Sequence, residues 1–263
     1  MANPLPPGLY ELPVTSELEQ GLEQLPDGLT RVRAMDPALA PVALAQHLHR
    51  RIVETLKSLP KQDRGARQLE VTNDILRLLA ANAGESDDAH LFVPPPRLLE
   101  AVVEATDALA EPVPPIRPHI PLSMSELLVN GRHDLSIGAE VKRELASADR
   151  VDLLCSFLKW SGVRLIERDL RGFLERRPGQ LRVLTTAYMR ATQARALEEL
   201  CALGADVRVS YDTQRTRLHA KAWMFHRRSG FSTAFVGSSN LSAAALLDGT
   251  EWNVRLSQRD NAG

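Results

Sequence analysis

From Val151 onward, short apolar runs alternate with amphipathic stretches of helical length, and that alternation leaves few architectures open. Val151-Asp-Leu-Leu-Cys-Ser-Phe-Leu158 has the character of a buried strand, and Val163 to Arg177 that of an amphipathic helix stopped by Pro178-Gly179. Leu181 to Thr186 predicts a second strand, Thr192 to Leu203 a helix closed by Gly204, and Asp206 to Tyr211 a third strand. Strands alternating with helices of this length predict βαβ units and an α/β fold with a parallel or mixed sheet flanked by helices. In such sheets, sites gather beyond the carboxyl ends of the strands. A helix over Ser136 to Ala148 precedes the first strand. Glycine-rich phosphate loops of the Rossmann or P-loop type are absent, so nothing supports nucleotide-cofactor use.

The first 110 residues have a different texture. Leu18, Leu22 and Leu25 recur at helical spacing. Pro41 opens a stretch that puts Val42, Leu44, Ala45, Leu48, Ile52 and Leu56 on one stripe and ends near Pro60. A third helix runs through Leu69, Ile75, Leu76 and Leu79 to Gly84, with a polar loop at 85–88, and Pro94-Pro-Pro precedes a fourth over Arg97 to Leu109. Residues 111–121 hold five prolines in eleven positions, which favours an extended spacer. The expected organisation is therefore a helical region 1–110, a linker 111–121 and an α/β domain 122–263. A length of 263 residues allows this.

Composition narrows the class of function. A chain with 44% hydrophobic and 25% charged residues is neither disordered nor fibrous. No apolar window is long enough to span a bilayer, and the N-terminus lacks a secretory signal pattern. Cys155 and Cys201 cannot make a disulfide framework or a four-ligand zinc site, so a cytoplasmic protein is expected. Residues 1–120 hold 11 basic and 17 acidic side chains, whereas 121–263 hold 21 and 16. A basic C-terminal part suits a phosphate-bearing partner, although such an excess alone is more often a solvated surface.

The chemistry concentrates in Leu218-His219-Ala220-Lys221-Ala222-Trp223-Met224-Phe225, which reads as a strand. Side chains two apart in a strand share a face, so His219 and Lys221 point the same way. A histidine can attack or protonate, and a neighbouring lysine supplies fixed positive charge, a pairing that suits a phosphoryl centre. The next predicted strand, Ser232 to Gly237, runs into Gly237-Ser238-Ser239-Asn240 and a short helix, Ala243 to Leu247. Gly237 allows close backbone approach, and Ser238 and Asn240 are donors at a junction suited to anions. Glu251 follows and is placed to orient a histidine. Taken singly, each has a bland reading: a structural histidine, a surface lysine, a helix N-cap asparagine, an exposed strand acid.

Taken together, His219-x-Lys221, Gly237-Ser238-x-Asn240 and Glu251 resemble the phospholipase D superfamily, over about residues 130–256. Cys155-Ser-Phe-Leu-Lys-Trp160, Thr185-Thr-Ala-Tyr-Met189, Ser210-Tyr-Asp-Thr213 and Gly230-Phe-Ser-Thr233 look like one branch, the nuclease-like N-terminal region of bacterial restriction or defence helicases. The resemblance implies a phospholipase D-like fold and metal-independent phosphodiester cleavage through a phosphohistidine, without cofactors. It implies that His219 is nucleophile or general acid, that Lys221 and Asn240 hold phosphate oxygens, that Ser238 assists and that Glu251 orients the histidine. The family aspartate five residues after the lysine is replaced here by His226, which a regular strand turns away from His219.

Lys159, Tyr188 and Arg190, after the first two strands, are candidate substrate contacts, each equally readable as surface or packing residues. Cys155 reads as a buried, inert thiol. His47 and His49 form no metal cluster. The leading expectation is a DNA nuclease active as a homodimer, because the mechanism needs two histidines and one motif supplies only one. The helicase resemblance adds a possible role in restriction or phage defence, as a stand-alone protein or beside a helicase module of a longer polypeptide. The alternatives are a non-catalytic DNA-binding or oligomerisation module of the same fold, and a lipid-acting phosphatidyl transferase. The latter is disfavoured by the single motif and the lack of a membrane anchor.

Overall fold

A computed structural model describes residues 6, 8–26, 28–84, 88–103, 116–130, 135–212, 214–215 and 217–260. The chain divides into two compact units, Met1–Glu100 and Ala101–Gly263.

The first unit is helical: α1 (Ser16–Leu22), α2 (Ala40–Ser58) and α3 (Arg64–Ala83). Thr15 caps α1 by accepting from the Leu18 N–H at 3.2 Å. Gly84, with φ of 72°, takes the left-handed conformation that ends α3. Asn73 of α3 is buried and its amide makes two bonds to the backbone of Phe92, at 2.9 and 3.0 Å. Val42, Leu44 and Leu48 of the expected apolar stripe are exposed, while Ile52 and Leu56 are half-buried. The helix expected over Arg97 to Leu109 does not form over 97–103, and its remainder lies outside the described residues. So do residues 85–87 of the polar loop and 111–115 of the proline-rich segment. Residues 116–121 have no regular structure, as their prolines require.

The second unit is α/β. Its elements are β1 (Glu126–Val129), α4 (Ile137–Ser147), β2 (Arg150–Cys155), α5 (Trp160–Arg176), β3 (Leu181–Thr186), α6 (Ala194–Ala202), β4 (Asp206–Ser210), β5 (Lys221–His226), β6 (Thr233–Gly237), α7 (Ala243–Leu247) and β7 (Trp252–Ser257). They build one mixed seven-stranded sheet in the order β1-β7-β6-β5-β2-β3-β4. β2, β3 and β4 are parallel, joined through α5 and α6, and the other neighbours are antiparallel. The expected strand at 218–225 is corrected at both ends: it begins at Lys221 and runs to His226, so His219 stands two residues before it. The four-residue β1 was not expected, since only Leu128 in it is buried.

The four helices touch one another in a single layer, α4 on α5 and α7, and α5 on α6 and α7. Val151, Leu153, Leu181, Val183, Trp223, Phe225 and Phe235 meet Val163, Ile166, Leu170 and Phe173 in the core. β7 inverts the usual pattern. Its buried residues are the polar Asn253, Arg255 and Ser257, whereas Trp252, Val254 and Leu256 are exposed on the opposite face.

The inversion is possible because the polar side chains are paired. Glu144 of α4 is fully buried; it accepts from Arg227 at 2.5 Å, Arg255 at 3.0 Å and Thr233 at 2.9 Å. Arg255 also donates to the carbonyls of Pro121 and Met124, at 3.0 and 2.8 Å. Glu144→Gln would leave two buried guanidiniums without a counter-charge, which typically costs about 3–5 kcal/mol. We expect a markedly lowered thermal midpoint by circular dichroism; a midpoint unchanged from the parent would contradict it.

On the other face of the sheet, Asp152 is ringed by cations. Arg182 clamps it at 2.6 and 2.7 Å, and His226 bonds to it at 2.9 Å. Burial pushes the Asp152 carboxyl up, but these bonds and the charges of Arg182 and Arg150 outweigh it and hold the carboxyl below its ordinary value. A depressed folded-state value stabilises the protein above the ordinary carboxylate range and loses that contribution as pH falls through it. Below about pH 4, the parent should therefore lose stability more steeply than Asp152→Asn. Parallel denaturant titrations of the two proteins check this.

Candidate active site

The site is assembled at the ends of β5, β6 and β7. Ala220, between the two motif residues, is anchored by Ser156 at the end of β2: the Ser156 N–H and Oγ both donate to its carbonyl, at 2.9 and 3.0 Å. That anchor carries the chain into β5 with His219 exposed and Lys221 half-buried. Their side chains meet, with Lys221 Nζ 3.2 Å from His219 Nε2 and 3.5 Å from Nδ1. The Phe157 ring stands edge-on to the imidazole at 6.0 Å between centroids.

Gly237 ends β6 where it presses on β7. A Cβ there would collide with the Trp252 carbonyl and the Asn253 side chain, so no other residue fits without displacement. Ser238 follows, exposed, and its hydroxyl donates to the Glu251 carboxylate and accepts from the Trp252 N–H at 3.1 Å. The expectation that Glu251 orients His219 has no counterpart among the described hydrogen bonds, in which its carboxylate takes the Ser238 hydroxyl. The backbone of Glu251 is fixed from β1, because the Asn130 N–H donates to its carbonyl at 3.1 Å. Asn130 also ties α7 and α4, donating to Ala245 O at 2.7 Å and accepting from Ile137 N–H at 3.1 Å.

Asn240 is half-buried, and its neighbour Leu241 is locked in place. The Leu241 N–H donates to the Cys155 sulfur at 3.3 Å, and its carbonyl accepts from the Lys159 N–H at 2.8 Å. Gly162 of α5 lies so close to this backbone that a Cβ would come within 2.5 Å of the Leu241 carbonyl carbon. Burial raises the Cys155 thiol above its ordinary value, so the group stays protonated and structural.

His226 lies at the far end of β5, its Nε2 bonded to Asp152 and 3.2 Å from the Arg150 guanidinium, outside the site. Lys159 is half-buried beside the Asn240 segment. Tyr188 and Arg190 follow β3, in a short 3-10 turn where Met189 and Arg190 both have positive φ, 58° and 51°. Three further features were not anticipated from the sequence. Arg217, two residues before His219 and itself at φ of 34°, places its guanidinium 5.6 Å from the Tyr188 ring centroid. Arg195 lies over the Trp160 ring at 4.3 Å. The Gln193 side-chain oxygen accepts from the backbone N–H of Trp160 at 2.7 Å. Positive φ at non-glycine residues is a signal only a structure provides. Among the described residues no group of three or more His, Cys, Asp or Glu could hold a metal ion, and no helix is long and apolar enough to cross a membrane.

A family model described as "Cardiolipin synthase, PLD-like domain" matches residues 141–262. No curated protein matches the chain. Among solved structures it is similar to the phospholipase D family member NUC from Salmonella typhimurium, at 18% identity over 53% of this chain and 87% of that one, with a TM-score of 0.38. It is also similar to NucT from Helicobacter pylori, at 14% identity over 53% and 87%, TM-score 0.35. A third is the yeast tyrosyl-DNA phosphodiesterase, at 11% identity over 50% of this chain and 31% of that one, TM-score 0.34. The stretch that the family model covers includes all of β2 to β7 and the whole His219 cluster, and that stretch is a PLD-like domain.

Proposed function

We propose that the protein is a DNA nuclease that cleaves phosphodiesters through a phosphohistidine, without metal. The observation that carries the reading is the 3.2 Å contact of Lys221 with His219 at the open end of β5, with the Ser238–Asn240 turn brought to the same edge. In this reading His219 attacks phosphorus, the bond to the leaving oxygen breaks, and a second histidine gives that oxygen its proton. Water then attacks phosphorus, gives its proton back to the second histidine, and breaks the P–N bond. Lys221 and Asn240 hold the non-bridging oxygens, whose charge grows in the transition state. Ser238 holds Glu251 beside them. Lys159, Tyr188 and Arg190 are proposed contacts for the flanking strand. A cytoplasmic location, a role in restriction or phage defence, and association with a helicase module are parts of the same proposal. So is the division into a helical region 1–110, a linker 111–121 and a catalytic domain 122–263.

The second histidine is proposed to be His219 of a second copy, brought in by an isologous two-fold contact. His226 is unsuited to that part because it serves Asp152 at the other end of the strand. A second reading, a non-catalytic nucleic-acid-binding module, draws on two observations: His226 replaces the motif aspartate, and Glu251 is engaged by Ser238 instead of by His219.

Two outcomes separate these readings. DNA cleavage should persist in EDTA and fall by about 10²–10⁴-fold in His219→Ala, measured on gels with the folded variant; binding without cleavage would favour the module. Sedimentation equilibrium should find a dimer under assay conditions. A protein that cleaves DNA while strictly monomeric would overturn the two-fold arrangement.

A further inference from the structure

Beside the His219 cluster lies an open cavity of about 650 Å³ lined by Lys159, Trp160, Ser161, Gln193 and Arg195. We infer that this cavity is a subsite for one unpaired nucleobase and its adjoining phosphate, an inference that rests on the nuclease reading above and names the form of nucleic acid the site takes.

The first support is position. The Lys159 N–H is bonded to Leu241, the residue after Asn240, and the next turn of α5 presses on the same backbone through Gly162. A strand with a phosphate at Asn240 has its neighbouring nucleotide at this cavity. The volume lies within the range of ordinary small-ligand pockets.

The second is chemistry. Two cations, an amide and a hydroxyl surround one aromatic ring. The Arg195 guanidinium lies over the indole, its Cζ 4.3 Å from the ring centroid, and Arg195 is exposed, so a planar cation stands at the cavity surface. Guanidinium planes and aromatic rings are surfaces on which bases stack without regard to sequence. In a duplex the faces of each base are covered by its neighbours; only an unpaired base can lie on Arg195. The oxygen of the Gln193 amide is held by the Trp160 N–H, and its NH₂ carries two donors that suit the acceptors of a base edge. Lys159 supplies a point charge for the phosphate.

The test uses the full chain and four binding probes: a short fluorescent oligo-dT, an abasic oligonucleotide of equal length, the oligo-dT·oligo-dA duplex, and anionic phospholipid vesicles. Arg195→Lys keeps the charge and removes the plane, at an exposed position that leaves the fold intact. It should weaken oligo-dT binding about tenfold and leave the abasic strand unaffected. Trp160→Ala should do the same and Trp160→Phe should retain binding; should Trp160→Ala fail to fold, Arg195→Lys decides. The parent should prefer oligo-dT to the duplex. Unchanged oligo-dT affinity in Arg195→Lys, equal losses on the abasic strand, or preference for the vesicles would overturn the subsite. Hydrolysis of methyl p-nitrophenyl phosphate, a base-free diester, judges the underlying reading separately. If His219→Ala leaves that hydrolysis untouched, the phosphohistidine reading fails, whereas unchanged oligo-dT affinity in Arg195→Lys, with that hydrolysis intact in the parent and lost in His219→Ala, condemns only the subsite.

Discussion

The α/β unit is organised around one buried carboxylate. Glu144 sits in the core with two guanidiniums and a threonine hydroxyl, and each partner comes from a different part of the chain. Arg227 opens the turn between β5 and β6, Thr233 begins β6, and Arg255 lies in β7. Three charges are costly to take out of water, and the arrangement holds only because each is met by the others and by hydrogen bonds such as those of Arg227 to Ser147 and Phe231. The strands that carry the candidate site are thereby bound to α4 at their far end.

This division of labour suits phosphoryl chemistry. The rigid end of the β5–β6 hairpin is buried and ionic; its opposite end is open, and there His219, Ser238 and Lys221 meet solvent. The site groups sit at the tips of strands or one to three residues beyond, where the backbone is held close to the sheet but the side chains are not covered by it. Anchors immediately behind them, Ser156 on Ala220 and Cys155 and Lys159 on Leu241, remove the freedom that strand ends otherwise have. Preorganised donors of this kind lose little when a charged group arrives.

Much of this was legible in the residues. Apolar alternation and helix stops set β3 and α7 at their observed limits, and the odd offset between His219 and His226 correctly turned the second histidine away. What escaped reading has physical causes. β1 is four residues long with one buried side chain, so its own pattern is too weak; it is recruited by pairing with β7. The inward face of β7 is polar, the reverse of what alternation assumes, because its counter-charge lies 111 residues earlier in α4. Trp160 and Arg195 are separated by a helix, a strand and a turn, and no local spacing announces that they meet. The hydroxyl of Ser238 holds the Glu251 carboxylate, a partner that spacing alone does not announce.

The inverted strand also bears on how the chain finds its pairing. Strand registers usually slip at little cost where both faces are similar, and are held where one face is distinctive. A one-residue slip of β7 would turn Arg255 out to the open face and drive Val254 or Leu256 against the Glu144 carboxylate, stranding an anion in the core. Such a misalignment is punished by charge instead of by lost apolar contact. The last strand of the unit therefore acts as a keyed closure: it completes the sheet in one alignment, and that alignment is the one that delivers Glu251 to Ser238.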